Sequence, residues 1–183
     1  MSAVIKTSAE GRQMLKREEG EVLRAYRCPA GVWTIGAGLT AASGVVKPVA
    51  GMTISPEEAD RLLTLALDRN YEPTVRRVMT DIVGDTVILP KQHEFDAGVS
   101  FHFNTGAILK ASWVGKWKAR DWPAVGTALL AWNKGGGRVL PGLTARRERE
   151  FALLKLRVYV EIHGSDGVRP GQPFDGLARL AAP

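Results

Sequence analysis

The sequence predicts an α+β fold: a small antiparallel-sheet lobe joined by a long helix to a larger helical lobe, with a cleft between. Three observations predict it. Turn chemistry and short alternating runs crowd residues 20–55. A capped apolar stripe begins at Ser55 and runs toward Met79. From Lys91 the chain keeps helical periodicity nearly to His163. Strand-rich and helix-rich stretches that segregate along a chain give α+β architecture. With 183 residues, 45% of them hydrophobic, there is enough chain for one domain with a real core. That domain spans residues 1–163. Its sheet lobe is about 20–55, its connecting helix about 56–80, and its helical lobe about 81–163 together with the first helix. Residues 164–183, rich in Gly and Pro, form a C-terminal tail.

The first helix runs from residue 8 to about residue 19. Ser8 caps it, and Met14, Leu15, Glu18, Glu19 and Val22 recur at helical spacing until Gly20 weakens or ends it. Cys28-Pro29-Ala30-Gly31 is a turn. Val32-Trp33-Thr34-Ile35 is a short strand with Trp33 and Ile35 on one face and Thr34 on the other. Gly36, Gly38, Ser43-Gly44 and Val45-Val46 complete a hairpin or meander. Ser55-Pro56-Glu57-Glu58 starts the connecting helix, whose stripe is Ala59, Leu62, Leu63, Ala66 and Leu67; Pro73 threatens its continuation to Met79. Farther on, Phe95, Val99 and Phe103 lie at four-residue steps, and Asp121-Trp122-Pro123 opens a helix that Gly135-Gly136-Gly137 breaks. Thr144 is placed to cap the last helix, in which Arg146 and Glu150 pair four apart.

Lys plus Arg number 25 and Asp plus Glu 19, a net charge of +6. Such a balance favours polyanionic partners: nucleic acid, an anionic membrane face or acidic wall polymer. Cys28 is the one cysteine, which excludes an intramolecular disulfide and a cysteine-rich zinc site. His93 and His102, nine apart on one helix, face opposite ways and cannot grip one ion. No metal and no cofactor are expected. No run of about 18 apolar residues is present, so no transmembrane helix is expected. The opening residues lack the apolar stretch of a secretory signal, which predicts a protein made and held in the cytoplasm.

Glu19 leaves the first helix just before the sheet lobe, and its step from Leu15 turns it toward the apolar side. A half-buried carboxyl is favoured in its neutral form, as a general acid requires. Glu18 competes by the same pattern, and a solvated charge cluster with Arg17 and Glu21 is the plainer reading. Cys28, nine residues on, is a nucleophile, a base, a water-holding group or an inert thiol; Arg24 or Arg27 would promote its thiolate. The hydroxyl of Thr34 donates and accepts at once, which suits fixing a water. Arg76-Arg77 and Arg146-Arg147-Arg149 read as solvated helix faces paired with Glu148 and Glu150 rather than as a groove-reading stripe. Trp113 and Trp117 share a helix face, either as core or as a sugar-stacking platform.

Glu19-Gly20, Cys28 and Thr34-Ile35-Gly36-Ala37-Gly38 together resemble the active-site segment of phage-type lysozymes, glycoside hydrolase family 24. The likeness continues through Gly51-Met52-Thr53-Ile54-Ser55, Gln92-His93-Glu94-Phe95-Asp96-Ala97, Ser100-Phe101-His102-Phe103-Asn104-Thr105-Gly106 and Trp132-Asn133-Lys134. It ends at Leu140-Pro141-Gly142-Leu143 with Arg146-Arg147, covering roughly residues 10–160 in order. The resemblance implies an endolysin that hydrolyses the β-1,4 bond between N-acetylmuramic acid and N-acetylglucosamine of peptidoglycan. It implies a lysozyme-like fold and catalytic residues Glu19, Cys28 and Thr34, at intervals of nine and six. Phe103 and Ser112 look similar to glycan-binding cleft residues, and Arg146 to a partner of Glu19 across the cleft. The resemblance points to inversion of the sugar carbon. Two positions depart from the pattern: Cys28 stands where Asp is frequent, and Leu39 where His is usual after the second Gly. The reading also implies a monomer acting on glycan strands, with no specific nucleic acid and no membrane insertion. By analogy, it is stored in the host cytoplasm and released through a holin-type pore to act on the wall in the periplasm. The alternatives are a peptidoglycan-binding module without turnover and a bacterial wall-remodelling muramidase.

Overall fold

The computed structural model describes residues 4–159. The first helix, α1 (Ala9–Glu19), starts where the Ser8 hydroxyl accepts the Gly11 amide at 2.9 Å. Met14 and Leu15 bury its inner face. Gly20 ends it with φ +71°, a left-handed conformation that a side chain would strain. The chain turns there, so Val22 does not extend the helical stripe. It begins strand β1 (Val22–Arg27) and is exposed.

β1 pairs antiparallel with β2 (Trp33–Gly36), and β2 with β3 (Leu39–Thr40), in the order β1-β2-β3. The register sets Thr34 between Tyr26 and Thr40. Thr34 and Ile35 are both buried, so the strand is covered on both faces where the sequence pattern separates them. Val45 and Val46 are not strand. They pack with Ile54 around Leu39, Leu62 and Ala66, a small core between sheet and helix. Leu39, the departure noted above, is thus a buried packing residue.

The connecting helix starts at Ser55, whose hydroxyl accepts the Glu58 amide at 3.2 Å. It runs as α2 (Pro56–Ala66), widens into a π turn (Leu67–Tyr71) and resumes as α3 (Glu72–Met79). Pro73 supplies no amide hydrogen, and the wide turn sits where the ordinary bonding would fail. The helix therefore survives its proline by loosening one turn.

Residues after Met79 form a hairpin, β4 (Asp81–Val83) and β5 (Thr86–Ile88), within the residues assigned to the helical lobe and ahead of the helical run expected from Lys91. The β-branched runs on either side of Gly84-Asp85 are the signal for it. The main core surrounds α4 (Gln92–Thr105), which packs against α1, α3 and the last helix. Phe95, Val99 and Phe101 are buried, as are Trp113 and Trp117 of α5 (Trp113–Lys118). Those tryptophans are core and offer no sugar platform. α6 (Trp122–Leu130) is capped by Asp121, which accepts the Ala124 amide at 3.1 Å. The glycine run then forms a tight hairpin, β6 (Lys134–Gly135) and β7 (Arg138–Val139).

The last helix, α7, spans Pro141–Leu156. Pro141 occupies its first turn, where a missing amide hydrogen costs nothing. Thr144 is therefore not the cap. It lies inside the helix, and its hydroxyl accepts from Asn133 Nδ2 at 3.1 Å. The helix stops at Leu156, short of His163, because Arg157 turns left-handed with φ +62°. The tail at residues 164–183 lies outside the described residues.

Candidate active site

Glu19 stands at the C-terminal end of α1, where sheet, connecting helix and α4 meet. It lines a cavity of about 490 Å³ with Gly38, Leu39, Thr40, Tyr71, His102 and Phe103 among its walls. Gly38 has φ +74°, and a Cβ there would lie 3.7 Å from Glu19 Oε2, so the sheet backbone comes close to the acid. The π turn brings Asn70 and Tyr71 to the same cavity.

Glu19 is held from the helical side. Arg146 Nη1 donates to Glu19 Oε1 at 2.7 Å, with the Glu19 side chain 22% exposed and that of Arg146 5%. Arg146 is in turn anchored by Glu150 at 3.3 Å through Nε and by the Ser100 carbonyl at 3.3 Å through Nη2. Glu150 also accepts from Ser100 Oγ at 2.7 Å and faces Arg147 Nε at 2.9 Å. Arg147 Nη2 reaches Asn104 at 2.9 Å, beside Phe103. These arginines are not solvated. Arg146, Arg147 and Glu150 are all buried, with the Glu150 carboxylate compensating the charge of the two guanidinium groups, although Arg147 Nε and Nη1 and Glu150 Oε2 make no hydrogen bond. Glu18, the rival acid, is bound through both oxygens by Arg149 at 2.5 and 2.8 Å. That bidentate clamp leaves it no free edge for substrate.

Cys28 lies in the turn between β1 and β2, where its amide donates to the Val32 carbonyl at 3.0 Å. Its thiol is held below the usual cysteine range by hydrogen bonds from the Val32 and Ala30 backbone, with Thr34 contributing through its side chain. The cause is backbone polarity, not the cations expected from sequence. Arg27 instead binds the Gly31 carbonyl at 2.6 Å and covers the Trp33 ring at 4.8 Å. Thr34 is buried, its hydroxyl donating to the Val32 carbonyl at 3.1 Å. Cys28 and Thr34 both bond to the Val32 carbonyl, and Thr34 is paired in register with Thr40 of the cavity wall, but neither Cys28 nor Thr34 lines the cavity itself.

Ser112 precedes α5 and is exposed; the cavity around Glu19 does not include it. Tyr71, His102 and Thr40 join the wall without having been singled out by sequence. His102 stood inside the Ser100–Gly106 motif, which carried the signal. Burial pushes the Tyr71 hydroxyl up, with Glu19 adding to it, and pushes the His102 ring down. Among the described residues no group of three or more His, Cys, Asp or Glu side chains is placed to hold a metal. None of the helices in them is long and apolar enough to cross a membrane.

A carboxylic acid held by a buried guanidinium in a crevice between a small sheet and a helical body is the arrangement of a glycoside hydrolase of the lysozyme class. The comparisons specify which. The phage lysozyme family profile matches residues 16–150, and the chain belongs to that family. It is similar to the endolysin of Salmonella phage P22, 33% identical over 153 residues, covering 82% of this chain and 98% of the relative. Among solved structures it resembles a variant of P22 lysozyme, with TM-score 0.67 and 30% identity over 82% of this chain and 99% of that one. It also resembles the muramidase domain of SpmX from Asticaccaulis excentricus, with TM-score 0.66, 26% identity, and coverage of 83% and 99%. The chain is thus a lysozyme, an endolysin-type muramidase whose substrate is cell-wall peptidoglycan.

Proposed function

We propose that Glu19 donates the proton that releases the leaving sugar when the β-1,4 bond after N-acetylmuramic acid is cleaved. The observation that carries this is the Glu19–Arg146 pair at the cavity wall. Glycosidic cleavage builds oxocarbenium character, and protonating the bridging oxygen lowers the barrier. Once Glu19 has given its proton, the carboxylate left behind is met by a guanidinium already in place. Cys28 and Thr34 hold and polarise the attacking water on the other side of the sugar, giving inversion. The thiolate character of Cys28 suits it to accept the proton of that water. Phe103 provides an apolar wall for the glycan.

Mass spectrometry of digested peptidoglycan tests the reaction. Reducing-end muramic acid is the expected product, and a 1,6-anhydro end would replace hydrolysis by intramolecular transfer. Fresh product examined by NMR should carry the α-anomer. The protein works as a monomer, without specific nucleic acid and without inserting into a membrane. Sedimentation should return a mass near 19.8 kDa. Cytoplasmic storage and release through a holin-type pore complete this reading, which draws on the family likeness. Cells making the chain should lyse only when a pore-forming partner is co-expressed. The likeness to a bacterial muramidase domain supports a second reading, wall remodelling without lysis. Continued growth of cells that export the active chain would favour it.

A further inference from the structure

His102 is a polar side chain buried in the wall of the Glu19 cavity without a protein partner. It is 8% exposed, and it lines the cavity beside Phe103 and Tyr71. Its Nδ1 is sealed from solvent and makes no hydrogen bond. The ring stands edge-on to Tyr71, with centroids 5.8 Å apart and planes at 77°, which sets the plane of the ring. Tyr71 and Phe103 lie against each other at 4.7 Å, forming one apolar surface next to the imidazole.

The ring's protonation follows from that burial. A doubly protonated ring would leave an N–H at Nδ1 with no acceptor, which is costly in a dry site. A ring protonated at Nδ1 alone would bury the same orphan donor. The neutral form with its hydrogen on Nε2 leaves only an unpaired lone pair at Nδ1 and offers Nε2–H as a donor. Desolvation favours the neutral ring in the same direction. The charged or titratable side chains sharing the cavity are Glu19 and Tyr71. Tyr71 is held in its neutral phenol form by burial and by Glu19.

We infer that His102 is a specificity-determining residue that donates from Nε2 to the carbonyl oxygen of a sugar N-acetyl group, whose methyl rests on the Tyr71–Phe103 surface. The inference deepens the proposed muramidase reading and rests on it. An acetamido group presents one strong acceptor beside one methyl, and this wall presents one donor beside one apolar face. A free hydroxyl at the same sugar carbon would keep an acceptor and lack the methyl, and a protonated amine would supply neither. A site built to hydrogen-bond one group discriminates against analogues that lack it.

The test compares His102→Gln, which keeps a donor, with His102→Val, which removes it, on native and chemically N-deacetylated peptidoglycan. On native wall, His102→Val should raise KM about tenfold with kcat little changed, the signature of lost ground-state binding. His102→Gln should recover most of the loss. On N-deacetylated wall the wild type should fall to the level of His102→Val, and the two should no longer differ. An equal penalty for His102→Val on both substrates would reduce His102 to a packing residue and overturn the inference, as would an unchanged KM. If the wild type hydrolyses neither wall, the muramidase reading fails by itself. His102 is then judged by titrating N-acetylglucosamine oligomers and their deacetylated counterparts into 15N-histidine-labelled protein. A shift of the Nε2 signal with the acetylated oligomers alone supports the donor role, and no shift rejects it.

Discussion

Arg146 reaches across from α7 to grip Glu19 at 2.7 Å, so the end of α1 and the last helix are tied through the proposed acid itself. Glu19→Gln keeps an oxygen for Arg146 and removes the transferable proton. The expected result is a loss of at least about a hundredfold in the rate of reducing-end release, the ordinary worth of a general acid. The circular dichroism spectrum should be unchanged. Near-normal turnover would remove Glu19 from the reaction.

Glu150 carries the opposite balance, structure rather than chemistry. It is the buried carboxylate between Arg146 and Arg147, and Ser100 donates to it at 2.7 Å. Glu150→Ala strands two guanidinium groups in the lobe. Removing one member of a buried ion cluster costs about 3–5 kcal/mol, because the remaining charges lose their compensation. A denaturant titration should show that loss. The exposed pair Arg61–Glu58 provides the contrast: Arg61→Ala should leave the midpoint where it was.

That buried cluster also marks where the sequence stopped being informative. Ser8, Ser55, Asp121 and the stripe of Ala59, Leu62, Leu63 and Ala66 announced their elements, because caps and periodicity are local signals. Arg146 and Glu150 were legible as a pair four apart, yet their burial was not, since it depends on Ser100 and Glu19 arriving from other elements. The hairpin at Asp81–Ile88 left only the β-branched runs beside Gly84-Asp85 as its signal. Its apolar residues are exposed, so burial gave no alternating pattern to follow. At the candidate site, Glu19 of the motif lines the cavity and Cys28 and Thr34 do not, while the π turn that delivers Tyr71 is a backbone irregularity no spacing rule anticipates.

Cys28 allows a pH test with a defined sign. The thiolate is the form that reacts with alkylating reagents. Hydrogen bonds from the Val32 and Ala30 backbone, aided by Thr34, stabilise that anion in the folded chain and are absent in the unfolded one. The alkylation-rate curve of the native protein should therefore turn over at lower pH than that of the protein in urea, whose midpoint lies at about 8.5. On the proposed mechanism the adduct fills the place of the attacking water, so labelled protein should lose wall-clearing activity. A native midpoint at or above the urea value would show that the turn does not activate the thiol. Full activity after complete labelling would make Cys28 scaffold.

The charge of +6 bears on how the protein meets its substrate rather than on how it cuts it. A wall bearing free peptide carboxylates attracts a cationic enzyme over a distance set by salt: about 10 Å at 0.1 M and about 3 Å at 1 M. The Glu19–Arg146 pair is differently placed, since Arg146 meets Glu19 from a buried position at short range, where screening acts weakly. Raising the salt should therefore increase the apparent KM on intact walls and leave kcat on short soluble glycan fragments almost constant. Equal losses on both substrates would mean that salt acts on the site. A flat response on intact walls would mean that the surplus of lysine and arginine plays no part in finding them.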